Sequence, residues 1–372
     1  MIGVMKIGIT LHPYDEKNPA GLARAILELV KAVLKEDTKN EYIIYLKNKP
    51  REPINLPGNN WRVEVLGDLK PGWLGQVLWL DRGLRRAAKA DVYVFYTPIM
   101  PIFFKPPKSV VIVLDFAYKY FAPVNSIEGF KEFLLFQYHK FSAKRADKIL
   151  AISQSAKDDT VRFCGVNPDK IDVMYLGLNP ICGIVEEKID APEKFFLFVG
   201  VIKERKNVFN IIKAFNEFRK KIAGYKLVVC GNKSGEYYEE IVDYVKKEGL
   251  ERDVVFSGYV TDAQVFYLYK RARALVFPSI VEGFGFPVVE AMDCGLAVIT
   301  SKTTSLPEVG GEAAILVDPY SVSEIASAMV KLSQDENLRQ ELVRKGYEQA
   351  KRFSWEKAAE ALLDAVRKFK NK

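Results

Sequence analysis

Residues 278–311 read PSIVEGFGFPVVEAMDCGLAVITSKTTSLPEVGG, and both the fold and the chemistry of the chain can be argued outward from them. Glu282 is followed at once by Gly283, Phe284 and Gly285. Pro287 is placed at the first position of a helix, where its fixed φ fits and its missing N–H costs nothing. That helix runs through Val288, Val289, Glu290, Ala291 and Met292, and Gly295 is placed to end it. A glycine turn feeding a helix N-terminus presents unpaired backbone N–H groups and the positive end of the helix dipole, an arrangement that receives phosphate readily. Two glycines let the main chain come close to a ligand, and Glu282 and Glu290 bracket that approach. An ordinary βα turn with a surface glutamate would share the glutamate spacing, but not also the LPEVGG downstream.

On both sides of this stretch apolar strands alternate with amphipathic helices. Residues 297–300 and 314–317 read as strands, and 323–332, 336–351 and 355–369 as helices. Upstream, strands at 195–200, 225–230, 254–257 and 274–277 alternate with helices at 208–221, 236–248 and 263–272. The first half repeats the pattern, with strands at 6–11, 42–46, 61–66, 91–96, 110–114, 148–152 and 171–175. Its helices start at Gly21 and span 73–89, 126–144 and 155–163. Pro180, Gly183 and Pro192 interrupt the alternation, which gives domains over 1–180 and 193–353 with a linker over 181–192. Strands alternating with helices imply an α/β fold of doubly wound, largely parallel sheets, here twice over. Ligands of such sheets bind outside the carboxyl ends of the strands. The strand ending at Gly200 runs into VIKERKN, so Arg205 and Lys206 stand at such an end. Arg205 offers a rigid fork for phosphate oxygens and Lys206 a compact charge, although a solvated basic turn would look the same.

Composition narrows the function classes. The chain has 372 residues, 49% hydrophobic and 27% charged, enough for two domains with sizeable cores. Four cysteines (Cys164, Cys182, Cys230, Cys294) are widely spaced without a C-x-x-C. That argues against disulfides or a zinc cluster and for reduced, partly buried thiols in a cytoplasmic protein. With only two histidines, His12 and His139, a histidine-based metal site is not expected. The apolar start lacks a basic leader region and cleavage site and reads as a first strand. A formal net charge of +8 suits an anionic ligand or an acidic membrane surface, and no nucleic-acid motif accompanies it. Residues 73–89 carry Trp73, Val77, Leu80 and Leu84 on one side and Arg82, Arg85, Arg86 and Lys89 on the other. This is the pattern of a helix packed on a core, and also of a basic-aromatic face on a membrane.

The E-x7-E written as EGFGFPVVE, with LPEVGG and a strand ending VDP after it, resembles the donor site of glycosyltransferase family 4. The resemblance implies a retaining, metal-independent enzyme of the GT-B fold that uses a nucleotide sugar and no other cofactor. It also implies that the two Rossmann-like halves face each other across a cleft and that the final helix, 354–372, crosses back to the first. Within the motif, Glu282 would contact a hydroxyl of the transferred sugar, and the amides around Gly283, Phe284 and Gly285 would lie against sugar and phosphate. Glu290 would accept hydrogen bonds from the ribose. G-x-x-x-x-R-K-N from Gly200 matches the segment whose Arg205 and Lys206 neutralise the departing diphosphate. Many family members carry Arg where this chain has Val201, so the task falls to the two remaining cations.

The turn at Gly258, Tyr259 and Val260 would border the base, and Gly21 would open a helix near the donor phosphates. Glu308 reads as structural. At Val113-Leu114-Asp115 the family usually has His-Asp; this chain keeps Asp115 but has Leu114. That departure keeps a non-catalytic nucleotide-sugar-binding subunit open beside the enzyme, as the shared fold does a sugar-nucleotide epimerase. A glycosidase using Glu282 and Glu290 is the weaker alternative. The implied partners are a GDP- or UDP-sugar, with the R-K-N form tilting toward GDP-mannose, and a carbohydrate or lipid-linked acceptor. Residues 99–104 form an apolar run that fits a buried loop or a lipid-facing one. A peripheral contact at the inner membrane face extends the same reading.

Overall fold

Runs of β-branched and aromatic residues such as SVVIV and FFLFV make strands buried on both faces, as parallel sheets require. The computed structural model describes residues 3–11, 21–50, 53–67, 73–121, 127–178, 181–233 and 235–370. Two units divide the chain: Met1–Gly177 with Ser354–Lys372, and Leu178–Phe353.

The first unit runs β1 (Lys6–Thr10), α1 (Gly21–Glu36), β2 (Glu41–Leu46), β3 (Trp61–Val65), α2 (Trp73–Arg86), β4 (Val92–Phe95), β5 (Ser109–Val113), α3 (Ala117–Phe121), α4 (Ile127–Arg145), β6 (Lys148–Ala151), α5 (Gln154–Cys164) and β7 (Ile171–Val173). Its strands pair in parallel in the order β3-β2-β1-β4-β5-β6-β7. Tyr45 and Tyr93 stack within the core at 6.0 Å between ring centroids. A Cβ on Gly8 would stand 2.5 Å from the Tyr45 ring, so that glycine makes room for it. The short helix α3 was not expected from the sequence.

The second unit runs β8 (Phe195–Val199), α6 (Val208–Arg219), β9 (Lys226–Cys230), α7 (Glu236–Lys247), β10 (Val254–Gly258), α8 (Asp262–Tyr269), β11 (Leu275–Phe277), α9 (Phe286–Asp293), β12 (Val298–Ser301), α10 (Leu306–Gly310), β13 (Ala314–Val317), α11 (Val322–Gln334) and α12 (Glu336–Ala350). Its strands, also parallel, run β10-β9-β8-β11-β12-β13. Both sheets therefore share one doubly wound order, with the reversal between β1 and β4 in the first and between β8 and β11 in the second. The last helix, α13 (Trp355–Arg367), packs along α1 in the first unit. A Cβ on Gly177 would lie 2.3 Å from the Trp355 nitrogen, so only glycine admits the returning chain there.

Two expectations are corrected. Cys182 and Cys294 form a disulfide across 112 residues of sequence, while Cys164 and Cys230 are free and buried. Burial raises both of those thiols to about 11. Spacing rules see only local cysteine patterns, and this pair meets because the fold brings a loop to the end of α9. Second, residues 181–192 are not a detached linker but belong to the second unit. Besides the disulfide, Glu187 accepts hydrogen bonds from Thr261 Oγ1 and Gln264 Nε2, and Glu186 pairs with Arg271 at 3.0 Å. Among the described residues no helix is long and apolar enough to cross a membrane.

Candidate donor-binding site

The reversal point of the second sheet lies between β8 and β11, so the loops after those two strands flank the crevice where such sheets take ligands. After β8 the chain turns at Gly200, whose φ of 152° favours glycine. It then forms a tight 3-10 turn over Glu204–Lys206 and reaches Asn207 in the left-handed region at φ 63°. Asn207 is an unusual tenant of that region, and its side chain shows why it is there. Its Nδ2 donates to the carbonyls of Pro278 and Pro319 at 3.0 and 2.6 Å, while the Ile280 amide donates to the Arg205 carbonyl at 2.8 Å. The two loops are thereby tied together.

The loop after β11 has its carbonyls capped one after another by side chains. Phe277 O accepts from Thr300 Oγ1, Ser279 O from Ser301 Oγ, and Ile280 O from Thr303 Oγ1. Val281 O accepts from Arg205 Nη1, and Glu282 O and Phe284 O both accept from Ser305 Oγ. The Glu282 amide donates to Thr304 Oγ1 at 3.1 Å, and Thr304 adopts φ 51°, a costly conformation for a β-branched residue. Those hydroxyls come from residues 300–305, TSKTTS, the end of β12 and the loop after it. A run of hydroxyls between a strand and LPEVGG is the signal that was available.

Three charges meet in this frame. Lys206 Nζ lies 2.5 Å from Glu282 Oε1, and Arg205 Nη1 lies 3.2 Å from Glu282 Oε2. Lys206 and Glu282 are only 9% and 8% exposed. The ammonium also sits over the Phe277 ring at 4.8 Å. Buried charges of opposite sign need such pairing, because an unpaired one would be strongly penalised.

Beyond Glu282, Gly285 takes φ 112° and a Cβ there would stand 2.7 Å from Leu306, so the position demands glycine twice over. The helix α9 starts at Phe286, which puts Pro287 one place later than expected but still in the first turn. The amides of Gly283 and Gly285, at the helix entrance, have no hydrogen-bond acceptor among the described residues. The ring of Phe284 turns away into the core, 3% exposed and packed edge-on against Phe286 and Phe353. Only its main chain is therefore available to a ligand. Glu290 is half-buried on α9, and its Oε2 accepts from the fully buried Tyr269 hydroxyl at 3.4 Å. Burial, with Glu290 beside it, raises the Tyr269 phenol well above its ordinary value.

The loops after β8, β9 and β10 touch in turn: the Gly200 amide donates to Cys230 O, and the Gly231 amide to Gly258 O. Gly231 must be glycine, since a Cβ would fall 2.1 Å from the Gly200 carbonyl oxygen. Gly258 has φ 75°, Tyr259 is 75% exposed and Val260 is half-buried. Glu308 sits on α10, where its carbonyl accepts from Gln349.

The remaining expected site residues lie in the first unit. Gly21 is the first residue of α1, and the loop before it, including His12, falls outside the described residues. Asp115 follows β5 and its Oδ1 accepts from the Ala117 amide at 3.0 Å, starting α3; Leu114 is half-buried. Residues 99–104 are a pinned loop. Asp81 accepts from the amides of Ile102, Phe103 and Phe104, and Arg145 donates to the carbonyls of Pro101, Ile102 and Phe104. Trp79, Leu80 and Leu84 of α2 are buried in the core, while Arg82, Arg85 and Arg86 are exposed; Trp73 and Val77 are outside the described side chains. Among the described residues no cluster of His, Cys, Asp and Glu is arranged to hold a metal ion.

Comparison with known proteins follows this division of the chain. The profile described as "Glycosyltransferase Family 4" matches residues 19–180, and "Glycosyl transferases group 1" matches 184–349. The chain is 31% identical over 248 residues to the serotype-specific mannosyltransferase WbdA of Escherichia coli, covering 63% of this chain and 30% of that protein. It is 32% identical over 241 residues to the O-antigen chain mannosyltransferase B of Escherichia coli, covering 61% and 62%. The chain thus spans less than two thirds of the length of either relative. Among solved structures, Anabaena HepE in complex with UDP and glucose superposes with a TM-score of 0.74 at 17% identity, over 98% of this chain and 99% of HepE.

Proposed function

This chain belongs to glycosyltransferase family 4 and has the GT-B fold, and from that premise we propose that it is a retaining hexosyltransferase. It moves a hexose from a nucleoside-diphosphate sugar to a hydroxyl acceptor in polysaccharide or glycolipid assembly. Mannose is the sugar that its relatives' names suggest. The observation that carries the reading is the meeting of Arg205, Lys206 and Glu282 at the sheet's reversal point, beside the glycine-lined entrance to α9.

In this mechanism the bond between the anomeric carbon and the leaving phosphate oxygen breaks while the acceptor oxygen bonds from the same face. The acceptor's proton passes to the departing phosphate. Arg205, Lys206 and the helix-entrance amides stabilise the charge that develops on the diphosphate, and Glu282 takes a hydroxyl of the sugar. Glu290 is offered to the ribose, and the exposed Tyr259 with Val260 borders the base. No protein nucleophile is needed, so rate comes from positioning and electrostatics. A panel of GDP- and UDP-sugars with hydroxyl acceptors tests the reading. Lys206→Ala should lower turnover at least tens-fold with whichever donor is used, since a charge-assisted contact is worth about 1.5–3 kcal/mol. Undiminished turnover would reject the assignment.

A second reading has one specific observation behind it. Leu114 brings no polar group to the end of β5, and Asp115 has one oxygen committed to the Ala117 amide. A subunit that binds nucleotide sugar without turnover would bind GDP or UDP yet release none from any donor. For the acceptor side, a peripheral contact with an anionic membrane and a lipid-linked acceptor are proposed from α4. Phe130, Phe133 and Phe141 are 63%, 53% and 39% exposed and share one face with Lys144. Co-sedimentation with anionic vesicles should fall when Phe130 and Phe133 become Ser, and a wild type that stays in solution would end the proposal.

A further inference from the structure

The two cations offered to the diphosphate have a counter-ion within the chain itself. Glu282 gives one carboxylate oxygen to Lys206 and the other to Arg205. Its main chain cannot follow a moving side chain, because its amide is held by Thr304 Oγ1 and its carbonyl by Ser305 Oγ. Arg205 is held at the same place by Val281 O, and its own carbonyl by the Ile280 amide. The backbone of these loops is therefore tied down, and a change of partner falls to side-chain torsions, those of Glu282 first.

Resting on the proposed donor site, we infer that Glu282 is a charge-exchange residue: it stands in for the diphosphate until the donor arrives. The trio holds a surplus of one cation, and a diphosphate carries more negative charge than one carboxylate can supply. Phosphate oxygens arriving between Arg205 and Lys206 take over both cations. The Glu282 oxygens are released, with their acceptor capacity intact, toward the hydroxyl of the sugar attached to that same diphosphate. Recognition of the sugar is thus conditional on occupation of the phosphate subsite, and a free hexose meets a carboxylate that is already engaged. Glu282 opposes binding of the bare nucleoside diphosphate and favours the sugar, two effects of opposite sign from one side chain.

The test is a titration of inorganic pyrophosphate, UDP, GDP and the matching nucleotide sugars into the wild type, Glu282→Gln and Lys206→Ala. Glu282→Gln should bind pyrophosphate and the preferred nucleoside diphosphate about tenfold tighter, the scale set by removing a unit charge beside two cations. Its gain for the nucleotide sugar should be smaller, and its turnover should fall. Equal or weaker diphosphate binding by Glu282→Gln overturns the inference while leaving the donor site standing. A wild type that binds no nucleoside diphosphate, or binds it no better than Lys206→Ala does, overturns the donor site and the inference with it. Should the Gln variant not fold, Glu282→Asp keeps the charge but withdraws it from the cations, and must give the same sign at smaller size.

Discussion

The loop after β4 and the loop after β11 occupy the same place in two sheets whose order matches over six strands, just past the reversal, yet the amides at their tips are used differently. In the first unit the Asp81 carboxylate takes three consecutive amides, Ile102 to Phe104. In the second, hydroxyls, Asn207 and Arg205 take the carbonyls, and the glycine amides beyond Glu282 are left toward the helix entrance. A loop whose amides already serve an internal carboxylate has nothing to offer an anion. Carbonyls are capped in both loops, by Arg145 in the first; the second differs in that the Gly283 and Gly285 amides have no acceptor among the described residues. The same topology can thus build a closed loop or one that leaves amides for the proposed phosphate site, and the difference lies in which amides the side chains satisfy.

The largest effect expected from this contrast concerns what holds each unit together. The Cys182–Cys294 bond closes 112 residues of the second unit, and the chain-entropy account gives such a cross-link about 4–5 kcal/mol. Replacing both cysteines by Ser should lower the melting temperature, with faster hydrogen exchange in residues 178–353 and little change in the first unit. Thiol titration of the denatured, unreduced protein should find two of the four cysteines free. Four would remove the cross-link from the account.

Next in size is the contrast itself. Asp81 is 4% exposed, and Asp81→Ala would leave three part-buried amides without their acceptor at a cost of about 2–3 kcal/mol. Nucleoside-diphosphate affinity should nevertheless stay at the wild-type level, because the damage lies outside the loop proposed to hold the phosphates. Ser305→Ala removes a hydroxyl that donates to two carbonyls. It should cost only about 1–2 kcal/mol of stability yet weaken nucleotide binding several-fold by loosening Glu282 and Phe284. If Asp81→Ala weakens binding as much as Ser305→Ala does, the two loops do not differ in the way described.

How much of this was legible in the chain follows from the range of each interaction. Strand and helix positions came through because apolar periodicity is local, and the bounds of β5 and β8 differ from expectation by a residue. Arg205 and Lys206 could be placed at the carboxyl end of a strand from the alternation of strands and helices, while their meeting with Glu282 followed from the family resemblance. The hydroxyl clamp was not legible, for Ser301, Thr303 and Ser305 donate to carbonyls, and Thr304 accepts from an amide, some 20 residues away, and no periodicity marks them. Asp81 reads as one polar residue on an amphipathic helix, and its three amide partners lie in a loop that sequence showed only as apolar. The disulfide and the docking of residues 181–192 are long-range products of the fold, beyond any spacing rule. The sequence did mark Leu114, but what its side chain does for the acceptor depends on molecules that bind there.

The smallest effect at neutral pH, and the one that turns on the first unit alone, concerns His139. It is 9% exposed on α4, and its Nδ1 lies 2.9 Å from the Tyr118 hydroxyl. Burial lowers its pKa from 6.5 to about 4. The unfolded chain therefore takes up a proton between those two values that the folded protein refuses. Stability contributed by the neutral ring is fully present above pH 6.5 and is lost as pH falls from there through 4, approaching about 3 kcal/mol at the low end. His139→Gln keeps a polar group for Tyr118 but cannot titrate. Unfolding measured from pH 7 to pH 4.5 should show the wild type losing more stability than the variant, with the extra loss seated in the first unit's hydrogen exchange. Parallel pH curves for the two proteins would mean that this histidine charges as easily folded as unfolded. The first unit would then owe its acid sensitivity, if any, to its carboxylates.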